Sequence, residues 1–125
     1  MFKVKVYYED TDSGGVVYYA NYLKFLERAR TELLLEGGFT HTQLKEKFNI
    51  FIIVKSCNIE YYKPGFLDDE LCILTLVEKK SKVQITLTQK IFRQKTLIID
   101  SKIKVASVNQ ESKVARMPTE LFNFF

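Results

Sequence analysis

Residues 20–38 read ANYLKFLERARTELLLEGG, and they hold the one long helical pattern in the chain. Tyr22, Leu23, Leu26, Ala29, Leu33 and Leu34 recur at steps of three and four, while Lys24, Glu27, Arg28, Thr31 and Glu32 occupy much of the other side. That period lays an apolar stripe along a helix over residues 20–36. Gly37-Gly38 then supplies the left-handed stop with which many helices end. A helix with one apolar stripe must bury it, and the flanking sequence supplies the surface.

On the N-terminal side, residues 2–9 alternate Phe2, Val4, Val6 and Tyr8 against Lys3, Lys5, Tyr7 and Glu9, the period of a half-buried strand. On the other side a short helix is predicted over residues 42–48, capped by Thr40 or Thr42. Residues 51–62, 70–78, 82–93 and 97–108 read as four strands, broken at Lys63-Pro64-Gly65, Lys79-Lys80-Ser81 and Gln94-Lys95. In the third of these, Ile85, Leu87, Gln89 and Ile91 fall on one face and Thr86, Thr88, Lys90 and Phe92 on the other. Short connections predict antiparallel neighbours. The tail, residues 118–125, reads as a helical turn opened by Pro118 or as an extended end. The order of elements gives an α+β class: one domain over residues 1–125, with one helix covering one face of an antiparallel sheet of about five strands. Such a sheet has two edges, and a long open edge favours dimerisation.

Composition narrows the function classes. An apolar fraction of 46% and an aromatic fraction of 14% describe an ordinary globular chain. No apolar run reaches the roughly 20 residues of a membrane span, and the alternating N-terminus lacks the apolar centre of a signal peptide, so the expected location is cytoplasmic. The net charge of +4 conceals an asymmetry. Residues 1–78 carry nine Lys/Arg against twelve Asp/Glu, and residues 79–125 carry ten against three. The basic half suits a polyphosphate or an acidic protein, or only a solvated strand face. Cys57 and Cys72 lie equally far from Pro64-Gly65. They would face each other across a hairpin centred there, so a cross-strand bridge and two free thiols are both open readings. The sole histidine, His41, is distant from both cysteines, and no metal site is expected.

The candidate chemistry lies just before the helix, in YEDTDSGGVVYYANY, residues 8–22. Asp10 and Asp12 precede a glycine pair and then a helix N-terminus. Unpaired N–H groups and the partial positive charge at such an end can polarise a carbonyl or steady an oxyanion. A carboxylate beside it can attack that carbonyl or activate water against it. Asp12 is the leading candidate for that carboxylate, with a turn-forming or capping role as the alternative. Asp10 is read as the anchor of the loop through backbone N–H groups. Gly14 and Gly15 permit a left-handed turn and close substrate approach. Tyr18, Tyr19 and Tyr22 are candidates for lining an acyl pocket, although packing against the sheet explains Tyr22 equally well.

The segment Tyr8-x-Asp10-Thr11-Asp12-x-x-Gly15-Val16-Val17-Tyr18-Tyr19-Ala20-Asn21-Tyr22, followed by Phe25-x-Glu27-x-Ala29-Arg30, closely resembles the 4-hydroxybenzoyl-CoA thioesterase family. The likeness is strongest to its YbgC-type branch of small bacterial acyl-CoA thioesterases. Tyr61-x-x-Pro64, Asp69-Glu70-Leu71 and Arg116-Met117-Pro118 extend it over essentially the whole chain. The resemblance implies a hotdog fold, with the sheet wrapped around the long helix, and active sites at the interface of a homodimer or of a homotetramer of paired dimers. It implies hydrolysis of an acyl-coenzyme A thioester without metal or organic cofactor. The family's catalytic carboxylate falls on Asp12, and its carbonyl-polarising backbone N–H falls near Tyr19. Gly15, Val16 and Tyr18 belong to the same substrate-binding motif. YbgC-type members commonly have histidine at the position of Tyr19, whereas the 4-hydroxybenzoyl-CoA branch has tyrosine. A phenol with an ordinary pKa of about 10 is a poor base at neutral pH, so the chemistry devolves on Asp12.

Coenzyme A brings phosphates, for which Lys90, Arg93 and Arg116 are the candidate contacts, with Lys55, Lys80 and Lys82 as competitors. Three rival functions differ from acyl-CoA hydrolysis. An acyl carrier protein could present the thioester and dock on the basic half. The fold could bind acyl thioesters or partners without turnover. A nucleic-acid module would interleave aromatics with Lys/Arg on one face; the basic strands offer mainly Phe92, so nucleic acid is not an expected partner.

Overall fold

The computed structural model describes residues 1–125. Strand β1 (Phe2–Lys5) is followed by a single 3-10 turn at Tyr8–Asp10, helix α1 (Asn21–Glu36) and helix α2 (His41–Phe48). Four strands come next, β2 (Phe51–Tyr61), β3 (Glu70–Lys80), β4 (Gln84–Arg93) and β5 (Thr96–Val108), and α3 (Thr119–Phe124) ends the chain. The five strands form one antiparallel sheet in the order β1-β3-β4-β5-β2.

Helix α1 lies across one face of this sheet. Tyr22, Phe25, Leu26, Ala29 and Leu34 are its buried residues, and they pack with Ile73, Ile85, Leu87, Ile91 and Ile103 in one core. The stripe is shifted slightly from its predicted position, because Phe25 is buried whereas Leu23 is exposed. Gln89, fully buried at the centre of β4, ties helix to sheet. Its Nε2 donates to the Leu26 carbonyl (3.0 Å) and to Thr75 Oγ1 (3.0 Å), and its Oε1 accepts from Arg30 Nη1 (2.9 Å). A buried amide with all these partners fixes α1 without an unsatisfied polar group.

Two expectations are corrected, and a third is narrowed to one residue of its pair. The first strand ends at Lys5 rather than at residue 9. The alternation runs on, but Asp10 Oδ2 accepts the Tyr7 N–H (2.8 Å) and turns the chain out of the sheet, leaving Tyr8 84% exposed. β2 and β3 do not form a hairpin about Pro64-Gly65. β4 and β5 lie between them, so Cys57 and Cys72 sit on strands that are not neighbours, and both thiols are free. The left-handed stop expected of Gly37-Gly38 is present and falls on Gly38 (φ +86°), while Gly37 stays right-handed (φ −80°).

The outer face of the sheet mixes charges that the sequence keeps apart. Glu78 from the acidic half accepts a hydrogen bond from Thr88 Oγ1 and lies 3.3 Å from Lys102. These partners hold the Glu78 carboxyl below its ordinary range. No helix is long and apolar enough to cross a membrane.

Candidate active site

Residues 11–17 form a tight antiparallel turn, with Thr11 bridged to Val17. The Asp12 N–H donates to the Val16 carbonyl (2.9 Å) and the Gly15 N–H donates to the Asp12 carbonyl (3.1 Å). Asp12 Oδ1 accepts the Gly14 N–H (2.8 Å), an Asx turn that fixes the side chain. Asp12 is exposed, and Oδ2 makes no hydrogen bond within the chain. Gly15 takes φ +78°, which a side chain would resist. A Cβ on Gly14 would stand 3.3 Å from Asp12 Oδ1, so glycine at 14 keeps that oxygen clear.

Asp10 behaves otherwise. It is only 7% exposed, and besides its bond to Tyr7 its carbonyl accepts from the Tyr18 N–H (2.9 Å) and Asn21 Nδ2 (2.8 Å). It anchors both the loop and the first residue of α1.

The turn is fastened to residues 65–67. The Val17 N–H donates to the Gly65 carbonyl (2.8 Å) and the Leu67 N–H to the Gly15 carbonyl (3.1 Å). Beneath it, the buried Tyr22 hydroxyl accepts the Gly65 N–H (2.9 Å). A Cβ on Gly65 would stand 3.2 Å from the Val17 side chain and 3.4 Å from the Tyr22 hydroxyl, so any larger residue must push these neighbours aside by a few tenths of an ångström.

α1 begins without a side-chain cap at Ala20 and with no acidic residue in its first turn. Asn21, which could have capped it, is committed to Asp10. The Asn21 N–H closes onto the Tyr18 carbonyl (2.8 Å), which fixes the plane of the Tyr18–Tyr19 peptide. The N–H groups of Tyr19, Ala20 and Tyr22 have no acceptor within the chain. The positive end of the helix is therefore neither capped nor neutralised.

Beside this helix start is a cleft of about 280 Å³, bounded by Tyr19 and Tyr22 on one side and Tyr61, Tyr62, Lys63 and Pro64 on the other. Tyr61 stacks edge-on against Tyr19 (6.3 Å) and tilts against Tyr22 (5.9 Å), and its hydroxyl donates to the Tyr19 carbonyl (3.5 Å). Burial pushes the Tyr61 phenol above its ordinary pKa, with Cys57 and Tyr19 adding to the effect. The sequence marks part of the wall formed by Tyr61, Tyr62 and Lys63 through the Tyr61-x-x-Pro64 motif and the aromatic pair ahead of the Lys63-Pro64-Gly65 turn, but neither gives these residues a role at the site.

The remaining predicted residues divide. Asp12, Gly15 and Val16 share one turn, with Tyr18 and Tyr19 directly after it; Asp12 itself does not line the cleft. Arg93 adjoins the cleft: its Nη1 donates to the Pro64 carbonyl, it lies 3.8 Å from Asp69, and it sits over the Phe66 ring. Lys90 is on the outer sheet face, paired across strands with Asp100 and Leu74. Arg116 is exposed next to Met117, whose N–H donates to the Lys82 carbonyl ahead of β4. Arg93 and Arg116 thus lie at opposite ends of β4, and the fold does not gather the three cations around one phosphate.

A family model described as the thioesterase-like superfamily matches residues 6–125. The acyl-CoA thioesterase YbgC of Haemophilus influenzae is 43% identical over 108 residues, covering 86% of this chain and 79% of that protein. The acyl-CoA thioester hydrolase YbgC of Escherichia coli O157:H7 is 40% identical over 107 residues, covering 85% and 79%. Among solved structures, a probable thioesterase from Bartonella henselae superposes with a TM-score of 0.90 at 33% identity, covering 94% of this chain and 97% of that one.

Proposed function

The chain belongs to the thioesterase-like superfamily, and from that premise we propose that it hydrolyses acyl-coenzyme A thioesters to the free acid and coenzyme A. The observation that carries the reading is an exposed Asp12 carboxylate, held on a rigid turn, shortly ahead of an uncapped helix start.

In this mechanism the thioester carbonyl rests at the start of α1, where the Tyr19 N–H stabilises the negative charge that develops on its oxygen. Asp12 drives addition to the carbonyl carbon, either by direct attack or by taking a proton from water. The C–S bond then breaks and the electron pair leaves with the thiolate, which is protonated to the free thiol. When Asp12 attacks directly, water cleaves the resulting anhydride and restores the carboxylate. Gly15, Val16 and Tyr18 shape the approach of the thioester. Lys90, Arg93 and Arg116 are candidate phosphate contacts, and Arg93 has the best position because it borders the cleft wall at Pro64.

We place the reaction in the cytoplasm and in a homodimer or homotetramer. β2 is an edge strand of 11 residues, and the cleft opens beside its last residue, Tyr61. A second copy on this edge would complete the pocket. Thioesters on acyl carrier protein are the alternative substrate, favoured by the basic residues of the C-terminal half. The test is a thiol-trapping assay on parallel acyl-CoA and acyl-carrier-protein panels. Steady thiol release from acyl-CoA supports the reading, and no turnover on either panel contradicts it.

A further inference from the structure

Two peptide units lead into α1, and their carbonyl ends are held by different partners. The Tyr18 carbonyl accepts the Asn21 N–H (2.8 Å), a bond that the turn itself supplies. The Tyr19 carbonyl accepts no backbone N–H, because the Leu23 N–H closes onto the Ala20 carbonyl (3.2 Å). Its one partner within the chain is the Tyr61 hydroxyl (3.5 Å). A peptide unit is planar, so whatever fixes its carbonyl also fixes the N–H on its opposite side. In the first unit that N–H belongs to Tyr19 and in the second to Ala20, and neither has an acceptor within the chain.

Tyr61 is itself placed with little freedom. It is the last residue of β2, paired with the buried Ile99 of β5. The next two N–H groups, of Tyr62 (2.9 Å) and Lys63 (3.3 Å), both reach the Ile98 carbonyl. The Tyr61 ring packs on those of Tyr19 (6.3 Å) and Tyr22 (5.9 Å), and Tyr22 is buried and tied to the Gly65 N–H. Sheet, helix and the connection after β2 together determine where the phenol stands. Burial holds that phenol above its ordinary pKa, so at neutral pH the hydroxyl carries its proton and can donate.

Ala20 already has helical backbone angles (φ −71°, ψ −21°). Its N–H therefore points along the axis in the same sense as the free N–H groups at the start of α1. Without the phenol, the Tyr19 carbonyl has no donor to hold it, and the peptide is free to turn. Negative charge developing on a substrate oxygen would then meet a carbonyl lone pair in place of an N–H. Donors fixed before the reaction avoid that reorganisation.

We propose that Tyr61 is a positioning residue: its hydroxyl fixes the Tyr19–Ala20 peptide so that the Ala20 N–H joins the Tyr19 N–H as a second donor to the thioester oxygen. The inference rests on the thioesterase reading and adds to it one donor and the residue that aims it. Tyr61 itself takes no part in making or breaking bonds.

The experiment measures kcat, KM and melting temperature with acyl-CoA substrates for the wild type, Tyr61→Phe, Ala20→Pro and the double variant. Tyr61→Phe keeps the ring and deletes the hydroxyl. Ala20→Pro deletes the N–H; φ −71° suits the proline ring, and no bond within the chain is lost. Ala20→Pro should lower kcat about 10²-fold, the cost of an oxyanion donor, and Tyr61→Phe about tenfold, with KM and melting temperature unchanged. In the double variant, Tyr61→Phe should add nothing to the loss from Ala20→Pro, since no N–H remains to be aimed. If Ala20→Pro does not fold, the split between kcat and KM in Tyr61→Phe decides. Unchanged kcat in Tyr61→Phe, a change confined to KM, or losses that multiply in the double variant overturn the proposal. A wild type that releases no thiol from any acyl-CoA instead overturns the thioesterase reading beneath it.

Discussion

Asp10 and Asp12 carry the same functional group two positions apart, and burial separates their tasks. Asp10 is enclosed and its carboxylate is engaged by the Tyr7 N–H, whereas Asp12 keeps one oxygen free toward solvent. Hydrogen bonds to a charged group contribute about 1.5–3 kcal/mol. Asp10→Ala is therefore expected to lose stability of that order in a denaturant titration. A variant with unchanged stability and abolished turnover would instead make Asp10 a participant in the chemistry. The division was partly legible from residue order, since only Asp12 is followed two residues later by glycine. Its geometry was not legible, because the Asx turn depends on a side-chain bond that periodicity does not encode. For the same reason Tyr8 reads as buried yet stands exposed.

Among the elements, the joint between α1 and the 65–67 segment governs the site. Tyr22 is buried and its hydroxyl holds the Gly65 N–H. Burial raises the Tyr22 phenol above its ordinary pKa of 10.0; the Gly65 hydrogen bond and Arg93 pull the other way without cancelling it. The folded protein thus holds this proton more tightly than the unfolded chain. The stability linked to it is full below pH 10 and lost as pH rises through the folded-state value. Tyr61 acts in the same direction. Tyr22→Phe strands a buried N–H, a cost of about 1–3 kcal/mol. It should therefore melt earlier at neutral pH but lose less stability between pH 9 and pH 11, as followed by thermal melts; an equally steep alkaline loss would contradict the assignment. The helices and the four C-terminal strands were readable, because each carries its own period. The partner of β2 was not. The connection over residues 62–69 has the residues of a hairpin turn but crosses to a distant strand, β3, with β4 and β5 in between, a long-range pairing that no local pattern encodes.

At the scale of the molecule, the charge asymmetry of the sequence is moderated because strands from both halves interleave, as the Glu78–Lys102 pair shows. The open edge is not moderated. Ile53, Val54 and Tyr61 on β2 are 45%, 51% and 47% exposed, an apolar border on an unpaired edge strand. Sedimentation equilibrium should give two or four times the chain mass, and a fully active monomer would contradict an interface site. The central claim is narrower: the Asp12 carboxylate carries the hydrolysis. Its most direct test compares single-turnover thiol release by the wild type and by Asp12→Asn, a substitution whose amide oxygen can still accept the Gly14 N–H. The account predicts an unchanged melting temperature with a rate about 10²- to 10⁴-fold lower. An Asp12→Asn protein that releases thiol at the wild-type rate would contradict it.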